Sequence, residues 1–256
     1  MKYEITGRTE SDAATIVLSA GLGGAGAFWQ PQIAALTPHF RVVTYDQRGT
    51  GRNTEALPDG YTIGHMAQDV IGILDELGIA RAHFMGHALG GLVGLEIALQ
   101  KPDLLDRLIL VNAWAKADSH TKRCFAMRKH LLLSVGAEAY VQAQPIFLYP
   151  SAWLSQNPER IAREEQHGLA HFQGVDTLLK RLGALLTFDV SARLNDVTMP
   201  TLVMAARDDV LVPWIASQAL ADGLPNAELW LVPEGGHAFT ITEDAAFNDK
   251  MLAFLG

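Results

Sequence analysis

One histidine and one aspartate near the C-terminal end of the chain have the residue types and the order of an acid–base pair. Two glycines precede His237 in the segment PEGGHA, residues 233–238, and they let the backbone bring the imidazole close to a site. Asp209 lies four residues before Pro213, where a carboxylate can orient a histidine, and the neighbouring Asp208 is the alternative. This spacing predicts an imidazole that is held by a carboxylate and works as a general acid or base.

A nucleophile would be expected in the motif GHALGG, residues 86–91. The motif has the frame of a nucleophile elbow, in which glycines two residues before and two residues after the central position prevent collisions in a sharp strand-to-helix turn. The central residue is Ala88, so the serine, cysteine or aspartate that such an elbow presents is absent. Removing the nucleophile of a serine triad costs about six orders of magnitude in kcat. We therefore expect very weak covalent ester or amide hydrolysis.

A glycine-rich segment, GLGGAG at residues 21–26, follows the first predicted strand and permits two interpretations. It fits the G-x-G-x-x-G spacing of dinucleotide-binding loops, and Asp46 ends the next strand about where a ribose-binding acid would lie. However, no long helix is predicted after the glycines, and residues 46–51, DQRGTG, are typical of hydrolases. We therefore expect this loop to present backbone N–H groups to an oxyanion, with Leu22 and Leu89 as the donors.

Alternating strands and helices must position these residues. Short runs rich in β-branched or aromatic residues predict buried parallel strands at Thr15–Ala20, Arg41–Asp46, His83–Gly86, Leu108–Asn112, Thr201–Ala206 and Glu228–Pro233. Helical patterns lie between them, at Thr62–Leu77, Leu89–Gln100 and Thr242–Leu255. The alternation predicts an α/β fold with a mostly parallel sheet flanked by helices. Ligand groups gather at the carboxyl edge of such sheets, where the predicted motifs lie.

No strand is predicted between Lys116 and Val197, where helical patterns are punctuated by prolines and Gly174. We predict a helical lid at residues 115–197, inserted into a core formed by residues 1–114 and 198–256. Residues 115–196 contain ten Lys and Arg against eight Asp and Glu, a net charge of +2, whereas the rest of the chain carries −10. The lid therefore suits a small anionic substrate, and Arg123 is its candidate contact.

Composition excludes several classes of function. The 256 residues are 49% hydrophobic and 19% charged, which suffices for one sizeable core. The net charge of −8 argues against nucleic-acid binding. No apolar run reaches the roughly 18 residues of a membrane helix, and the first residues lack the pattern of a signal peptide, so we expect a cytoplasmic protein.

The single cysteine, Cys124, excludes a cysteine-rich metal cage. We expect no metal and no cofactor, and apolar lid faces would allow a homodimer.

The four motifs in this order resemble the α/β-hydrolase superfamily, over essentially the whole chain. More narrowly, the chain resembles the RutD family, hydrolase-like proteins of bacterial uracil degradation. The resemblance rests on residues 20–24, 45–51 and 86–90 and on the lid strings at 121–125, 143–145 and 169–174. It implies action on carbamate or 3-aminoacrylate, with alanine as the native residue at position 88. Ala20 and Ala88 depart from the general superfamily pattern, in which a histidine and a nucleophile stand at these positions.

These substrates need only a correctly placed proton. We expect the His237 imidazolium to protonate the carbamate nitrogen or the enamine carbon of aminoacrylate, or neutral His237 to activate a water. The substrate carboxylate would lie against the N–H groups of Leu22 and Leu89, with help from Arg123. Three alternatives remain open: a serine hydrolase inactivated by Ala88, a non-catalytic binding protein of the pathway, and a nucleotide-dependent oxidoreductase.

Overall fold

Seven strands form a single sheet in the computed structural model, which describes residues 1–256. The strands are β1 (Tyr3–Gly7), β2 (Thr15–Ser19), β3 (Arg41–Tyr45), β4 (Ala82–His87), β5 (Leu105–Val111), β6 (Thr201–Ala206) and β7 (Ala227–Val232). Their spatial order is β1-β3-β2-β4-β5-β6-β7. All neighbouring pairs are parallel except β1 and β3. The mostly parallel α/β fold expected from the sequence is confirmed.

Helices cover both faces of this sheet. Those of the core are α1 (Gln30–Leu36), α2 (Ile63–Glu76), α3 (Leu89–Gln100), α9 (Trp214–Gly223), α10 (Phe239–Thr242) and α11 (Asp244–Leu255). Every residue of β2 and β4 is buried, as expected for central strands with helices on both sides. One large apolar cluster surrounds α2 and α3 on one face, and a second lies between α1 and α11 on the other. No helix of the protein is long and apolar enough to cross a lipid bilayer.

Two elements differ from the sequence-based expectation. Strand β1 was not predicted, because it is an exposed antiparallel edge strand whose sequence, YEITG, lacks the apolar run of a buried strand. The single helix expected at Thr242–Leu255 is divided into α10 and α11 at Glu243. The six predicted strands lie within a few residues of their expected positions, although β7, at the edge of the sheet, is only partly buried.

Five consecutive helices separate β5 from β6, and we call them the insertion. They are α4 (Ser119–Ser134), α5 (Ala137–Leu148), α6 (Ser151–Gln156), α7 (Pro158–Ala170) and α8 (Val175–Thr187). No strand occurs among them. An isolated bridge between Lys116 and Asp189 joins the two chain segments at the base of the insertion, and their side chains form an ion pair of 2.6 Å. The insertion therefore leaves and rejoins the core at one place.

Candidate active site

The turn between β4 and α3 has the backbone of a nucleophile elbow with alanine at its tip. Ala88 has a φ of 47° and a ψ of −112°, a conformation that L-residues rarely adopt. A Cβ at position 86 would lie 2.2 Å from the Gly90 carbonyl oxygen, and a Cβ at position 90 would lie 2.1 Å from the Ser19 carbonyl oxygen. The two glycines are therefore required by close backbone contacts. Ala88 itself is buried, and no hydroxyl, thiol or carboxylate occupies the tip.

His237 and Asp209 form a buried hydrogen-bonded pair. The imidazole Nδ1 lies 2.7 Å from the Asp209 Oδ2 atom, and both side chains are almost fully enclosed. The other carboxylate oxygen, Oδ1, accepts the backbone N–H groups of Leu211 and Val212 at 2.8 and 2.9 Å. These bonds fix the carboxylate and leave His237 Nε2, which has no partner within the protein, as the atom available for proton transfer.

Asp208 has a different role from its neighbour. Its carboxylate accepts the backbone N–H groups of Gly235 and Gly236 at 3.2 and 2.9 Å, and so anchors the loop that carries His237. Asp209, which the sequence analysis favours over Asp208, is the residue that contacts the imidazole.

The glycine-rich loop and the elbow lie directly against each other. A Cβ at position 21 would approach His87 Nδ1 to 3.0 Å, and Gly90 packs on the backbone of Ser19 and Ala20. Neither the Leu22 nor the Leu89 backbone N–H has a hydrogen-bond acceptor within the protein. Leu89 is fully buried and begins α3, where the helix dipole favours negative charge. Both N–H groups are thus free to bind an anionic oxygen.

Asp46 is engaged in holding this region together. Its Oδ1 accepts the Gly26 N–H at 2.9 Å, and its Oδ2 accepts the N–H and the Nε of Arg52 at 3.0 and 2.7 Å. Burial acts to raise the pKa of this carboxyl, but the hydrogen bonds from Arg52 and Gly26 outweigh burial and leave the pKa lowered. The carboxylate therefore supports the glycine-rich loop, and α1 after that loop is only seven residues long.

Comparison with known proteins places this geometry in a family. The family model for the α/β hydrolase fold matches residues 14–244. A protein of Agrobacterium fabrum is 54% identical over 255 residues, covering 100% of this chain and 98% of the relative. A protein of Stutzerimonas stutzeri is 53% identical, with 100% and 96% covered. Both carry the name "Putative carbamate hydrolase RutD". The chain belongs to the RutD family.

Solved structures of other hydrolases share this fold. The enol-lactonase of Burkholderia xenovorans LB400 superposes with a TM-score of 0.90 at 29% identity, covering 99% of this chain and 95% of that one. A hydrolase of Pseudomonas aeruginosa PA01 has a TM-score of 0.88, also at 29% identity, with 99% and 93% covered. The hydrolase architecture of this RutD-family chain is therefore shared with proteins outside that family.

Sequence reasoning missed two residues that hold His237. The His237 carbonyl oxygen accepts Asn112 Nδ2 at 2.7 Å and lies 2.8 Å from His87 Nε2. Burial, together with a smaller effect of the neighbouring His237, lowers the pKa of His87 to about 3, so His87 is neutral and donates through Nε2. The only sequence signal was the position of His87 next to the elbow tip. Asn112, with a φ of 48°, directly follows β5 and gave no such signal.

The insertion also contacts the candidate active site. The Ala238 N–H donates to the carbonyl oxygen of Leu148, the last residue of α5, at 2.9 Å. In α4, His120 Nε2 and Cys124 Sγ lie 2.8 and 3.5 Å from the carbonyl oxygen of Val210, the residue after Asp209. Helices of the insertion are therefore bonded to both loops of the acid–base pair.

Arg123 does not join the other candidate residues. Its side chain is exposed on α4 and forms no hydrogen bond or ion pair within the protein. The buried arginine of this helix is Arg128, five residues further on, and a second buried arginine, Arg181, lies on α8. The structure thus brings together His237, Asp209, Ala88, Leu22 and Leu89, but leaves Arg123 outside.

Proposed function

We propose that this chain hydrolyses carbamate to carbon dioxide and ammonia by acid–base catalysis, without a covalent intermediate. The observation that carries the proposal is an intact His237–Asp209 pair beside an elbow whose tip is alanine. The names of the two relatives, at 54% and 53% identity over the whole chain, support carbamate as the substrate. The resemblance to the RutD family implies that this step belongs to bacterial uracil degradation and the release of its nitrogen.

The reaction requires one proton in the correct place. The His237 imidazolium donates its Nε2 proton to the carbamate nitrogen, which gives a zwitterion with an ammonium group and a carboxylate. The C–N bond then breaks, its electron pair leaves with ammonia, and carbon dioxide is released. Neutral His237 regains a proton from solvent, so atoms and charge balance.

The alanine at the elbow tip is compatible with this chemistry and incompatible with acyl transfer. A general acid contributes roughly 10² to 10⁴ in rate, which is too little for a stable amide but matters for a substrate that already decomposes once protonated. One oxygen of the carbamate carboxylate would accept the free N–H groups of Leu22 and Leu89, which leaves the other oxygen for further donors. These donors hold the substrate with its nitrogen toward His237.

The proposal is tested by ammonia release from freshly prepared carbamate at neutral pH, measured above the spontaneous rate. We expect the native protein to accelerate release by 10²-fold or more, and His237→Ala to lose this acceleration. His39→Ala is the matched control. His39 is exposed and lies just before the amino-terminal end of β3, whereas the candidate site lies at the carboxyl ends of the strands. This variant should behave like the native protein.

Two outcomes would overturn the proposal. Equal rates with native protein and His237→Ala would remove His237 as the acid and favour a binding protein. An inert native protein, together with vigorous ester hydrolysis by Ala88→Ser, would favour an inactivated serine hydrolase. If carbamate is not consumed but 3-aminoacrylate is, with the same dependence on His237, the acid–base role stands and the substrate assignment fails.

A further inference from the structure

Two arginines of the insertion are buried without a carboxylate partner. The exposed fraction of Arg128 on α4 is 4%, and that of Arg181 on α8 is 0%. Neither forms an ion pair with an aspartate or a glutamate. Burial lowers the pKa of the Arg181 guanidinium to about 10, so this group still carries its charge at neutral pH. A buried unpaired charge is strongly unfavourable unless an anion accompanies it.

Several N–H donors of these arginines are unused. Arg128 Nη2 donates to the Tyr140 hydroxyl at 2.8 Å and to Gln144 Oε1 at 3.2 Å, while its Nε has no acceptor. Arg181 Nη2 donates to the Leu22 carbonyl oxygen at 3.1 Å and to Gln47 Oε1, while its Nε and Nη1 have none. Buried polar atoms without partners are uncommon in native proteins, and three of the twelve such side-chain atoms in this protein belong to these two cations.

Both arginines belong to the surroundings of the candidate active site. Arg181 bonds Leu22, whose own N–H is one of the two free oxyanion donors. The Arg128 guanidinium lies 5.5 and 5.6 Å from the ring centres of Phe125 and Phe147, and both rings pack in the apolar cluster that contains Ala88. The positive charge of each arginine also acts on the phenol of Tyr140. The two cations thus approach one region from two helices.

We propose that Arg128 and Arg181 bind the carboxylate group of a small monocarboxylate substrate beside His237. This arginine site rests on the proposed function, because that function places the substrate beside His237. It adds an explanation of how the substrate is selected. A guanidinium offers two parallel N–H donors that match a carboxylate. Carbamate and 3-aminoacrylate both carry this group, whereas a neutral amide or ester of the same size does not.

Binding is tested with acetate, an unreactive monocarboxylate, and with acetamide as its neutral counterpart. Thermal unfolding is followed at constant ionic strength, with sodium chloride replacing sodium acetate. We expect acetate to raise the Tm of the native protein progressively with concentration, and acetamide to leave it unchanged. Arg128→Met and Arg181→Met should lose the response to acetate. Arg123→Met is the matched control on α4 and should keep it.

The kinetic counterpart separates recognition from chemistry. With carbamate as substrate, Arg128→Met should raise KM at least tenfold while kcat changes less than threefold. Arg128→Lys should bind acetate at least threefold more weakly than the native protein, because lysine keeps the charge but lacks the planar pair of donors. If a methionine variant fails to fold, the lysine variants of both positions decide the question by the same criterion.

The outcomes distinguish this inference from the proposed function. If acetate stabilises all variants equally, or acetamide acts as well as acetate, the arginine site is refuted even when carbamate is consumed. If acetate binding depends on both arginines while carbamate is not consumed, the carboxylate site stands and the proposed reaction falls. A purely structural role of the arginines would lower the Tm without changing the response to acetate, and would also refute the inference.

Discussion

The substitution Asp209→Asn tests the acid–base pair with almost no change in shape. In the native protein, Asp209 Oδ2 faces His237 Nδ1 at 2.7 Å, and Oδ1 accepts two backbone N–H groups at 2.8 and 2.9 Å. An asparagine has one oxygen and one NH₂ group, and its oxygen must face the two backbone donors. Its NH₂ group then faces Nδ1. His237 must accept at Nδ1 and is held as the neutral tautomer with its proton on Nε2.

The structure also sets the size of the effect. Rotating the amide to restore the native tautomer would point NH₂ at the N–H groups of Leu211 and Val212. Each buried donor left without an acceptor costs about 1–3 kcal/mol, so the rotation costs roughly 2–6 kcal/mol. Since about 1.4 kcal/mol corresponds to a factor of ten, we expect Asp209→Asn to lower carbamate turnover at least 30-fold, close to the loss in His237→Ala.

The assay is ammonia release from carbamate, with circular dichroism to verify folding of each variant. Asp208→Asn is the matched control, because Asp208 bonds only the backbone of Gly235 and Gly236 and does not touch the imidazole. It should lose less than about tenfold, since an asparagine still accepts one of those bonds. The reasoning is refuted if Asp209→Asn retains native turnover, or if the control loses as much activity as Asp209→Asn.

Two further predictions concern stability. The pKa of His87 in the folded protein is about 3, below the ordinary value near 6.5. Between these two pH values the unfolded chain therefore binds a proton that the folded protein does not. The free energy of unfolding should fall by about 1.4 kcal/mol for each unit that the pH decreases from 6.5 toward 3. His87→Gln should flatten this dependence in urea unfolding series, and an unchanged slope would contradict a buried neutral His87. Gly90→Ala should lower the free energy of unfolding by about 1–3 kcal/mol, because its Cβ would meet the Ser19 carbonyl oxygen at 2.1 Å. Gly183→Ala, at a helical position whose Cβ meets nothing within 4 Å, is the control and should not destabilise the protein.

The local motifs of the site were readable from the sequence because their constraints act between near neighbours. Gly86 and Gly90 flank Ala88 at a spacing fixed by one turn, and the glycines before His237 are adjacent to it. The central parallel strands were readable because their apolar runs are buried on both faces. These features depend on a few consecutive residues and on the general rule that strand ends meet at one edge of the sheet.

The contacts between distant segments were not readable. Asn112 and His87 reach the His237 carbonyl across 125 and 150 residues of chain, and no local pattern encodes such a pairing. The choice of Arg123 failed for a geometric reason. Five residues along a helix rotate the side chain by about 140°, so Arg123 and Arg128 lie on different faces of α4, and only packing decides which is buried.

The strained turn at Ala88 bears on the role of the β4–α3 elbow in this protein. A conformation with a φ of 47° at a non-glycine residue costs of order 1–3 kcal/mol, and here no nucleophile is presented in return. The same turn starts α3 at Leu89 and leaves its N–H without an acceptor. The elbow of this protein therefore presents a free backbone N–H group rather than a reactive side chain, and the amino-terminal end of α3 makes that side of the candidate site electropositive.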